Sequence, residues 1–169
     1  MDVRRESEPT PVKNRTTVER TSDREVVVTR TFDAPARLVF EAWTRPELFT
    51  QWWLPKSLGM KLRSCEMDVR AGGKYRLVFE PDGMAFFGTY LDVIPNARLV
   101  WTNEESGEGG SVTTVTFEER DGKTLLVLHE LYPSKEALDA AGTGAAEATV
   151  ETFAQLDELL LTLDASVEP

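Results

Sequence analysis

The fold is decided by residues 112–132, which read VTTVTFEERDGKTLLVLHELY. Apolar and polar residues alternate on both sides of Asp121-Gly122, a dipeptide that favours a two-residue type I′ turn between antiparallel strands. Such a turn fixes the register and places Phe117 opposite Leu126. Because the face that carries these two side chains must be buried, the same alternation carries Glu130 inward. The sequence therefore predicts a hairpin with one carboxylate on its apolar face.

Further strands are predicted on the N-terminal side of this hairpin. Segments rich in β-branched and aromatic residues recur there, separated by Gly, Pro, Asn and Asp. Their short connections favour one antiparallel sheet. The predicted strands are residues 24–32, 61–69, 74–80, 85–94, 98–103, 112–118 and 124–132.

A second turn signal, Asp82-Gly83, predicts the register between two of these strands. As a two-residue turn it places Phe79 opposite Phe86 and Tyr75 opposite Tyr90. Four aromatic rings are then expected to share the inner face of the sheet.

A third turn signal, Asn96-Ala97, predicts where Asp92 points. As a two-residue turn it places Asp92 on the inner face, which then carries two carboxylates, Asp92 and Glu130. Burial there would raise the pKa of such a group and let it anchor a ligand or act as a general acid. Alternatively both lie at the rim, solvated or paired with Arg98 or Lys123.

Helices are predicted before and after this meander. Pro35 begins a first helix, and Thr44-Arg45-Pro46-Glu47 has the form of a capping box that begins a second. Ser134 is placed to cap a long C-terminal helix that runs to about residue 163, with glycines weakening its first third. One helix covers only part of a six- or seven-stranded sheet, so a cavity is predicted between them.

Composition excludes several classes of partner. The 169 residues carry a formal net charge of −10, which disfavours nucleic acid and anionic membranes. Cys65 is the single cysteine, so no intramolecular disulfide forms, and no apolar stretch suits a signal peptide or a membrane span. We expect a cytoplasmic protein without membrane insertion, with a flexible tail over residues 1–22 and one domain over residues 23–165.

Three features favour structural roles over chemistry. Gly72-Gly73 is followed by a strand, so it is a tight connection and not a phosphate-binding loop. His129 is the only histidine, it is predicted to point away from the core, and no spacing around it forms a metal site or a catalytic triad. Cys65 is expected to pack as a small apolar residue. We predict no metal and no cofactor.

An ordered set of motifs gives the chain a resemblance over residues 24–163. The motifs are Phe32-Asp33-Ala34-Pro35, Trp43, the turn at 44–47, Trp52-Trp53-x-Pro55, Asp68-x-Arg70-x-Gly72-Gly73-x-Tyr75, Gly88-x-Tyr90, Pro95-x-x-Arg98-Leu99 and Leu156-Asp157-Glu158-Leu159-Leu160. Together they resemble the bacterial family related to the C-terminal domain of the activator of the heat-shock-protein-90 ATPase. That family belongs to the START-like (SRPBCC), helix-grip superfamily.

The resemblance implies an α+β fold, β-α-α-β6-α, in which a curved antiparallel sheet wraps around the long C-terminal helix and leaves a deep pocket. Similar domains bind lipids, steroids, polyketide-like or aromatic compounds; some sequester toxins and some cyclise polyketides. This chain has Ala148 and Thr149 where relatives are expected to carry Gly with Trp or Met. That departure reduces the side-chain volume on the side of the helix that faces the pocket.

We predict a binding protein, and not an enzyme, that holds a small hydrophobic or aromatic molecule between sheet and C-terminal helix. The competing hypotheses are a cyclase- or hydrolase-like enzyme that uses Glu130 or Asp92, and a stress-response module that engages a chaperone partner. Of the pair Trp52-Trp53, one ring is expected in the core; the other either gates the pocket mouth or serves packing alone. The predicted ligand-binding residues are Trp43, Trp53, Tyr75, Leu77, Phe79, Phe86, Tyr90, Trp101, Phe117, Glu130 and Phe153.

Overall fold

Eight antiparallel strands form one curved, unclosed sheet in the computed structural model. The structure describes residues 16–59, 61–80, 83, 85–104, 110–141 and 144–167. The strands are β1 (Thr17–Arg20), β2 (Glu25–Phe32), β3 (Lys61–Met67), β4 (Lys74–Glu80), β5 (Ala85–Ile94), β6 (Arg98–Thr102), β7 (Val112–Arg120) and β8 (Lys123–Leu131). The helices are α1 (Ala36–Thr44), α2 (Pro46–Trp52), α3 (Lys135–Ala141) and α4 (Gly144–Val167), with a 3₁₀ turn at Lys56–Leu58.

The predicted α+β helix-grip architecture is confirmed. The strands lie in the order β1-β2-β8-β7-β6-β5-β4-β3. Strand β2 therefore pairs with β8, the last strand in the sequence. Helices α1 and α2 connect β2 to the meander, and α4 packs against both of them and against β2. The sheet and α4 therefore enclose the interior from opposite sides.

β1 adds a strand that the sequence did not predict. It pairs antiparallel with β2, with Thr17 opposite Thr29 and Arg20 opposite Val26. Its sequence, TVER, contains one apolar residue and falls in the stretch assigned to the tail. An edge strand of this kind is held by backbone pairing, which composition does not reveal. Residues 1–15 of the predicted tail lie outside the described residues.

The β7–β8 hairpin forms as predicted. Asp121 and Gly122 have φ angles of 54° and 78°, and a type I′ turn requires positive φ at both positions. Phe117 lies opposite Leu126. Glu130 lies on the same face of β8 and points towards the interior, as the alternation predicts.

The β5–β6 connection has three residues where two were predicted. It spans residues 95–97, with Asn96 in the left-handed region at a φ of 63°. Asp92 consequently lies opposite Val100, where the shorter turn would place it opposite Trp101. A shift by one residue moves a side chain to the other face of the sheet, so the prediction that Asp92 points inward is wrong.

The β4–β5 hairpin is longer than predicted by two residues. Leu77, and not Phe79, lies opposite Phe86. The Gly83 N–H donates to the Phe79 carbonyl oxygen at 3.0 Å and closes the longer loop. Asp82, the other half of the expected turn, lies outside the described residues. A shift by two residues leaves every side chain on its original face, so the predicted inward faces of Tyr75, Leu77 and Phe86 survive this error.

The capping box predicted for α2 does not form. The Thr44 hydroxyl donates to the Phe40 carbonyl oxygen at 2.9 Å, one turn back in α1. Arg45 precedes α2 without a side-chain cap, and Pro46 occupies the first turn. Thr44 therefore ends one helix and does not begin the next.

The C-terminal helix is divided in two. The Ala137 N–H donates to Ser134 Oγ at 3.0 Å, so Ser134 caps a helix as predicted, but that helix is the short α3. The long helix α4 begins again at Gly144. Residues 142 and 143, which separate the two helices, lie outside the described residues.

Gly88 brings β5 into close contact with its neighbours. A Cβ atom at this position would lie 1.9 Å from the carbonyl oxygen of Thr102 and 2.9 Å from a ring carbon of Tyr75. A backbone oxygen cannot move out of the way, so this crossing requires glycine. It fixes the distance between strands that carry aromatic residues of the site.

Candidate ligand-binding cavity

A cavity of about 670 Å³ lies between the inner face of the sheet and the four helices. Its volume falls within the range of small-molecule sites, about 300–1,000 Å³. Rings from the strands and from α1, α2 and α4 form most of its wall. The lining residues are Val26, Val28, Trp43, Phe49, Trp52, Trp53, Met67, Tyr75, Leu77, Phe86, Tyr90, Trp101, Asn103, Gly110, Ser111, Leu128, Glu130, Tyr132, Pro133, Ala137, Ala140, Thr149, Thr152 and Phe153.

Most of the predicted ligand-binding residues line this cavity, and two do not. Phe79 packs behind the wall, stacked on Trp53 with ring centroids 6.0 Å apart. Phe117 lies deeper in the core, edge-on to Phe40 at 5.4 Å. Both were predicted from the correct sheet face, but other side chains stand between them and the open space. The predicted residues that line the cavity are Trp43, Trp53, Tyr75, Leu77, Phe86, Tyr90, Trp101, Glu130 and Phe153.

Trp43 connects the rings of the helices to those of the sheet. Its ring centroid lies 4.8 Å from that of Trp52, 5.9 Å from that of Trp101 and 6.2 Å from that of Phe153. The contacts with Trp52 and Phe153 are edge-to-face, and contacts of that kind add to the stability gained from burial alone. Trp43 Nε1 is buried and has no hydrogen-bond partner among the described residues, whereas Trp52 Nε1 donates to the Ala42 carbonyl oxygen at 2.9 Å. The wall around Trp43 is therefore held chiefly by ring packing.

The two adjacent tryptophans differ in burial: one lies in the core, as the sequence predicts, and the other lines the cavity. Trp52 is 1% exposed and lies in the core. Trp53 is only partly buried and lines the cavity, stacked on Phe49 at 5.4 Å and edge-on to Phe86 at 5.7 Å. Gln155 of α4 fixes this corner: its side chain bonds the backbone on both sides of Trp53. The role of Trp53 as a gate stays a prediction.

A connected set of polar side chains crosses one wall of the cavity. We call it the polar strip; it comprises Tyr75, Asn103, Thr113, Glu130 and Tyr132. The Tyr75 hydroxyl lies 3.2 Å from Asn103 Oδ1, and Asn103 Nδ2 donates to Thr113 Oγ1 at 2.9 Å. The Thr113 hydroxyl lies 3.2 Å from Glu130 Oε2, and the Tyr132 hydroxyl donates to Glu130 Oε1 at 3.0 Å. Both carboxylate oxygens of Glu130 therefore accept hydrogen bonds from the strip.

Two tyrosines of this wall, Tyr132 and Tyr90, stay protonated. Burial raises the pKa of Tyr132 well above its ordinary value, and the negative charge of Glu130 raises it further. Burial likewise raises the pKa of Tyr90. Each phenol therefore remains a hydrogen-bond donor throughout the neutral and moderately alkaline range.

Asp92 lies on the opposite face of the sheet. Its carboxylate accepts two hydrogen bonds from Arg98, at 2.6 and 3.1 Å, in an exposed ion pair. This is the rim arrangement that the sequence left open for Asp92, and it differs from the position of Glu130. Among the described lining residues, Glu130 is the only one that carries a charge.

The remaining reactive side chains have structural partners. His129 Nε2 lies 2.8 Å from Glu25 Oε2 of the neighbouring strand, on the outer face. The Cys65 thiol is half-buried beside Met67, and desolvation raises its pKa to about 11. Gly73 passes the Asp68 backbone so closely that a Cβ would lie 1.9 Å from the Asp68 carbonyl oxygen, which fits a tight connection between β3 and β4. Within the described ranges, no three His, Cys, Asp or Glu side chains lie where they could hold a metal ion.

Sequence reasoning missed several polar lining residues. Asn103 and Tyr132 each follow a predicted lining residue, Trp101 and Glu130, by two positions. Since a strand returns to the same face every second residue, that spacing was a usable signal. Ser111 gave no such signal, because it lies just before the start of β7.

The fold and its cavity define a START-like, helix-grip domain: an antiparallel sheet that holds a long C-terminal helix over an apolar interior. Residues 33–161 match the model of the family described as activator of Hsp90 ATPase homolog 1-like protein, and the chain belongs to that family. No curated protein matches the sequence. In the described part of the chain, no helix has the length and apolar character needed to cross a membrane.

Solved structures with this fold come from several bacteria. A protein from Rhodobacter sphaeroides is 25% identical with a TM-score of 0.76, over 88% of this chain and 99% of that one. Protein Ms6760 from Mycobacterium smegmatis is 24% identical with a TM-score of 0.73, over 86% and 96% of the two chains. A protein from Staphylococcus epidermidis is 26% identical with a TM-score of 0.68, over 86% and 94%. These likenesses support the fold along nearly its whole length.

Proposed function

We propose that the protein binds a small apolar or aromatic molecule in the cavity between the sheet and α4. One observation carries the proposal: about 670 Å³ of space remains inside a wall made mostly of aromatic and aliphatic side chains. Protein interiors are normally close-packed, and an apolar space of this size is large enough for a multi-ring molecule. A ligand that fills it gains about 25 cal/mol for each Å² of apolar surface removed from water.

The polar strip gives such a ligand its orientation. Apolar walls contribute most of the affinity, and a few placed polar groups fix which end of the molecule points where. Glu130 is the polar anchor, because both of its oxygens are held by Thr113 and Tyr132 and it lines the cavity. The sequence predicts Glu130 as the anchor, and the two hydrogen bonds name the side chains that would position its carboxylate.

Of the two carboxylates that the competing enzyme hypothesis names, Glu130 and Asp92, the described lining of the cavity includes Glu130. Asp92 is paired with Arg98 on the outer face of the sheet and is not among the described residues that line the cavity. An enzyme that uses Glu130 as a general acid predicts turnover that is lost in Glu130→Gln while the fold survives. The binding proposal predicts that the same variant changes ligand preference only.

The proposal is tested with prodan, a neutral naphthalene fluorophore whose emission shifts to the blue in apolar surroundings. We expect prodan to bind and to raise the melting temperature, because a ligand that binds only the folded state stabilises it. Thr149→Trp places an indole where the α4 side chain lines the cavity, and we expect it to weaken prodan binding at least about tenfold.

Val150→Trp is the matched control. Its side chain is the next on α4 and is 46% exposed, so the same substitution there leaves the cavity unchanged. Equal prodan affinity in the two tryptophan variants, or no blue shift with the wild-type protein at any prodan concentration, would contradict the proposal.

A further inference from the structure

All three tyrosines of the chain line the cavity, and they differ in what their hydroxyl groups contact. The Tyr75 hydroxyl donates to the Thr102 carbonyl oxygen at 2.8 Å, and the Tyr132 hydroxyl donates to Glu130 Oε1 at 3.0 Å. Tyr90 is only 4% exposed, yet its hydroxyl makes no hydrogen bond with a described residue. Two of the three phenols are therefore engaged within the protein, and the third is not.

The Tyr90 hydroxyl borders the open space of the cavity. Among the described residues, two buried side-chain polar atoms are fully enclosed and lack a partner, Arg30 Nε and Trp43 Nε1. The Tyr90 oxygen also lacks a partner but is not one of these enclosed atoms, so open space touches it. Because Tyr90 is almost wholly buried and lines the cavity, that space is the cavity. A bound molecule can therefore reach this hydroxyl.

The backbone of Tyr90 is held on both sides by a tight connection. The Tyr90 N–H donates to the Gly73 carbonyl oxygen, and the Gly72 N–H donates to the Tyr90 carbonyl oxygen, each at 2.8 Å. The Tyr90 ring contacts the rings of Tyr75 and Trp101, with centroids 5.8 and 6.4 Å away. A group that is already held in place costs little further ordering when a ligand binds.

The chemistry of the phenol favours a ligand that carries an acceptor. Burial raises the pKa of Tyr90, so its hydroxyl keeps the proton and remains a donor. A hydrocarbon placed against this hydroxyl would exclude water and leave a buried donor without a partner, which is costly. A carbonyl oxygen in the same place would accept the hydrogen bond. The neighbouring rings of Trp101 and Trp43, with centroids 5.9 Å apart, favour an aromatic ring beside that oxygen.

We propose that the cavity takes an aromatic carbonyl compound, whose oxygen accepts a hydrogen bond from the Tyr90 hydroxyl while its ring lies against Trp101. This inference rests on the proposed function, since it names the class of molecule that the cavity holds. It also assigns a donor role to Tyr90, one of the residues that the sequence predicts to line the cavity.

Two anthracenes of nearly equal shape test the inference. 2-Acetylanthracene carries a carbonyl group, and 2-isopropenylanthracene carries in its place a carbon–carbon double bond, which is no match for it as an acceptor. Each is titrated into the intact protein, and quenching of tryptophan fluorescence reports binding. The ratio of the two dissociation constants measures the preference for the carbonyl group, because the shared rings contribute equally to both. We expect Tyr90→Phe to reduce this preference at least about fivefold, which corresponds to about 1 kcal/mol for one buried donor left unpaired.

Tyr75→Phe is the matched control. It removes the same hydroxyl from the neighbouring ring, where that hydroxyl already donates to the Thr102 carbonyl oxygen. It should leave the preference for the carbonyl group within about twofold of the wild-type value. A reduction of less than about fivefold in Tyr90→Phe, or one at least as large in Tyr75→Phe, would overturn the carbonyl inference, while binding of either anthracene would leave the proposed function standing. If neither anthracene binds, both proposals fail.

Infrared spectroscopy decides the question if circular dichroism shows that Tyr90→Phe is unfolded. A hydrogen bond lowers the stretching frequency of a carbonyl group. We expect 2-acetylanthracene bound to the wild-type protein to absorb at a lower frequency than in dry diethyl ether, which offers no donor. An equal or higher frequency in the bound state would overturn the inference.

Discussion

Gln155 offers the sharpest test of how α4 holds the wall of the cavity. Its Oε1 accepts a hydrogen bond from the Lys56 N–H at 2.9 Å, and its Nε2 donates to the carbonyl oxygens of Trp52 and Leu54, each at 2.8 Å. The side chain is 9% exposed. One buried amide thus satisfies three backbone groups of the segment that carries Trp53.

Gln155→Ala removes all three hydrogen bonds at once. A net contribution of about 0.5–1.5 kcal/mol for each of the three bonds gives a loss of about 1.5–4.5 kcal/mol in the free energy of unfolding. For a protein of this size, that loss lowers the melting temperature by roughly 3–18 °C. Urea denaturation followed by tryptophan fluorescence measures the first quantity, and calorimetry measures the second.

Gln51→Ala is the control for this prediction. Gln51 is exposed, and its Nε2 donates to one carbonyl oxygen, that of Glu47, at 2.9 Å. We expect a change of no more than about 0.5 kcal/mol there, as for other surface positions. If Gln155→Ala also loses less than about 1 kcal/mol, α4 does not hold the segment through this side chain, and the argument is wrong.

Two further predictions concern close packing and thiol chemistry. Gly88→Ala should destabilise the protein by about 3 kcal/mol or prevent folding, because the new Cβ would lie 1.9 Å from a backbone oxygen. Urea denaturation measures the free energy of unfolding, and a variant as stable as the wild type would contradict this prediction. The pKa of Cys65, raised by burial to about 11 from 9.0, leaves about 100-fold less thiolate at pH 8, so Ellman's reagent should label the native protein about 100-fold more slowly than the urea-unfolded chain. The native rate should also rise about tenfold for each pH unit up to about pH 11; a rate independent of pH would show that access, and not ionisation, limits the reaction.

The sequence predicted the faces of the sheet more reliably than its registers, for a simple geometric reason. The register of the β4–β5 hairpin differs from the predicted one by two residues, yet Phe86 still faces inward because side chains alternate with period two. The register of the β5–β6 hairpin differs at Asp92 by one residue, and that error placed the Asp92 side chain on the wrong face of the sheet. The number of residues in a turn decides between these outcomes. Asn96 shows the difficulty: it adopts the left-handed conformation that suits both two- and three-residue turns.

Whether a predicted inward residue reaches the cavity depends on packing that no periodicity records. Phe117 lies on the inner face as predicted, but Phe40 and Trp43 pack over it. Phe79 is covered by Trp53 in the same way. A residue must face inward to line the cavity, but other side chains can still cover it. The sequence predicted which residues face inward and not which of them are covered.

The cavity exists because the helices and the strands contribute side chains of unequal size. The strand wall carries large rings such as Trp101 and Tyr90, whereas the lining side chains from α3 and the start of α4 include Ala137, Ala140 and Thr149. Among the described residues, these small side chains leave part of the ring wall of the sheet without a facing layer. Under the proposed function, a ligand with aromatic rings would supply that layer.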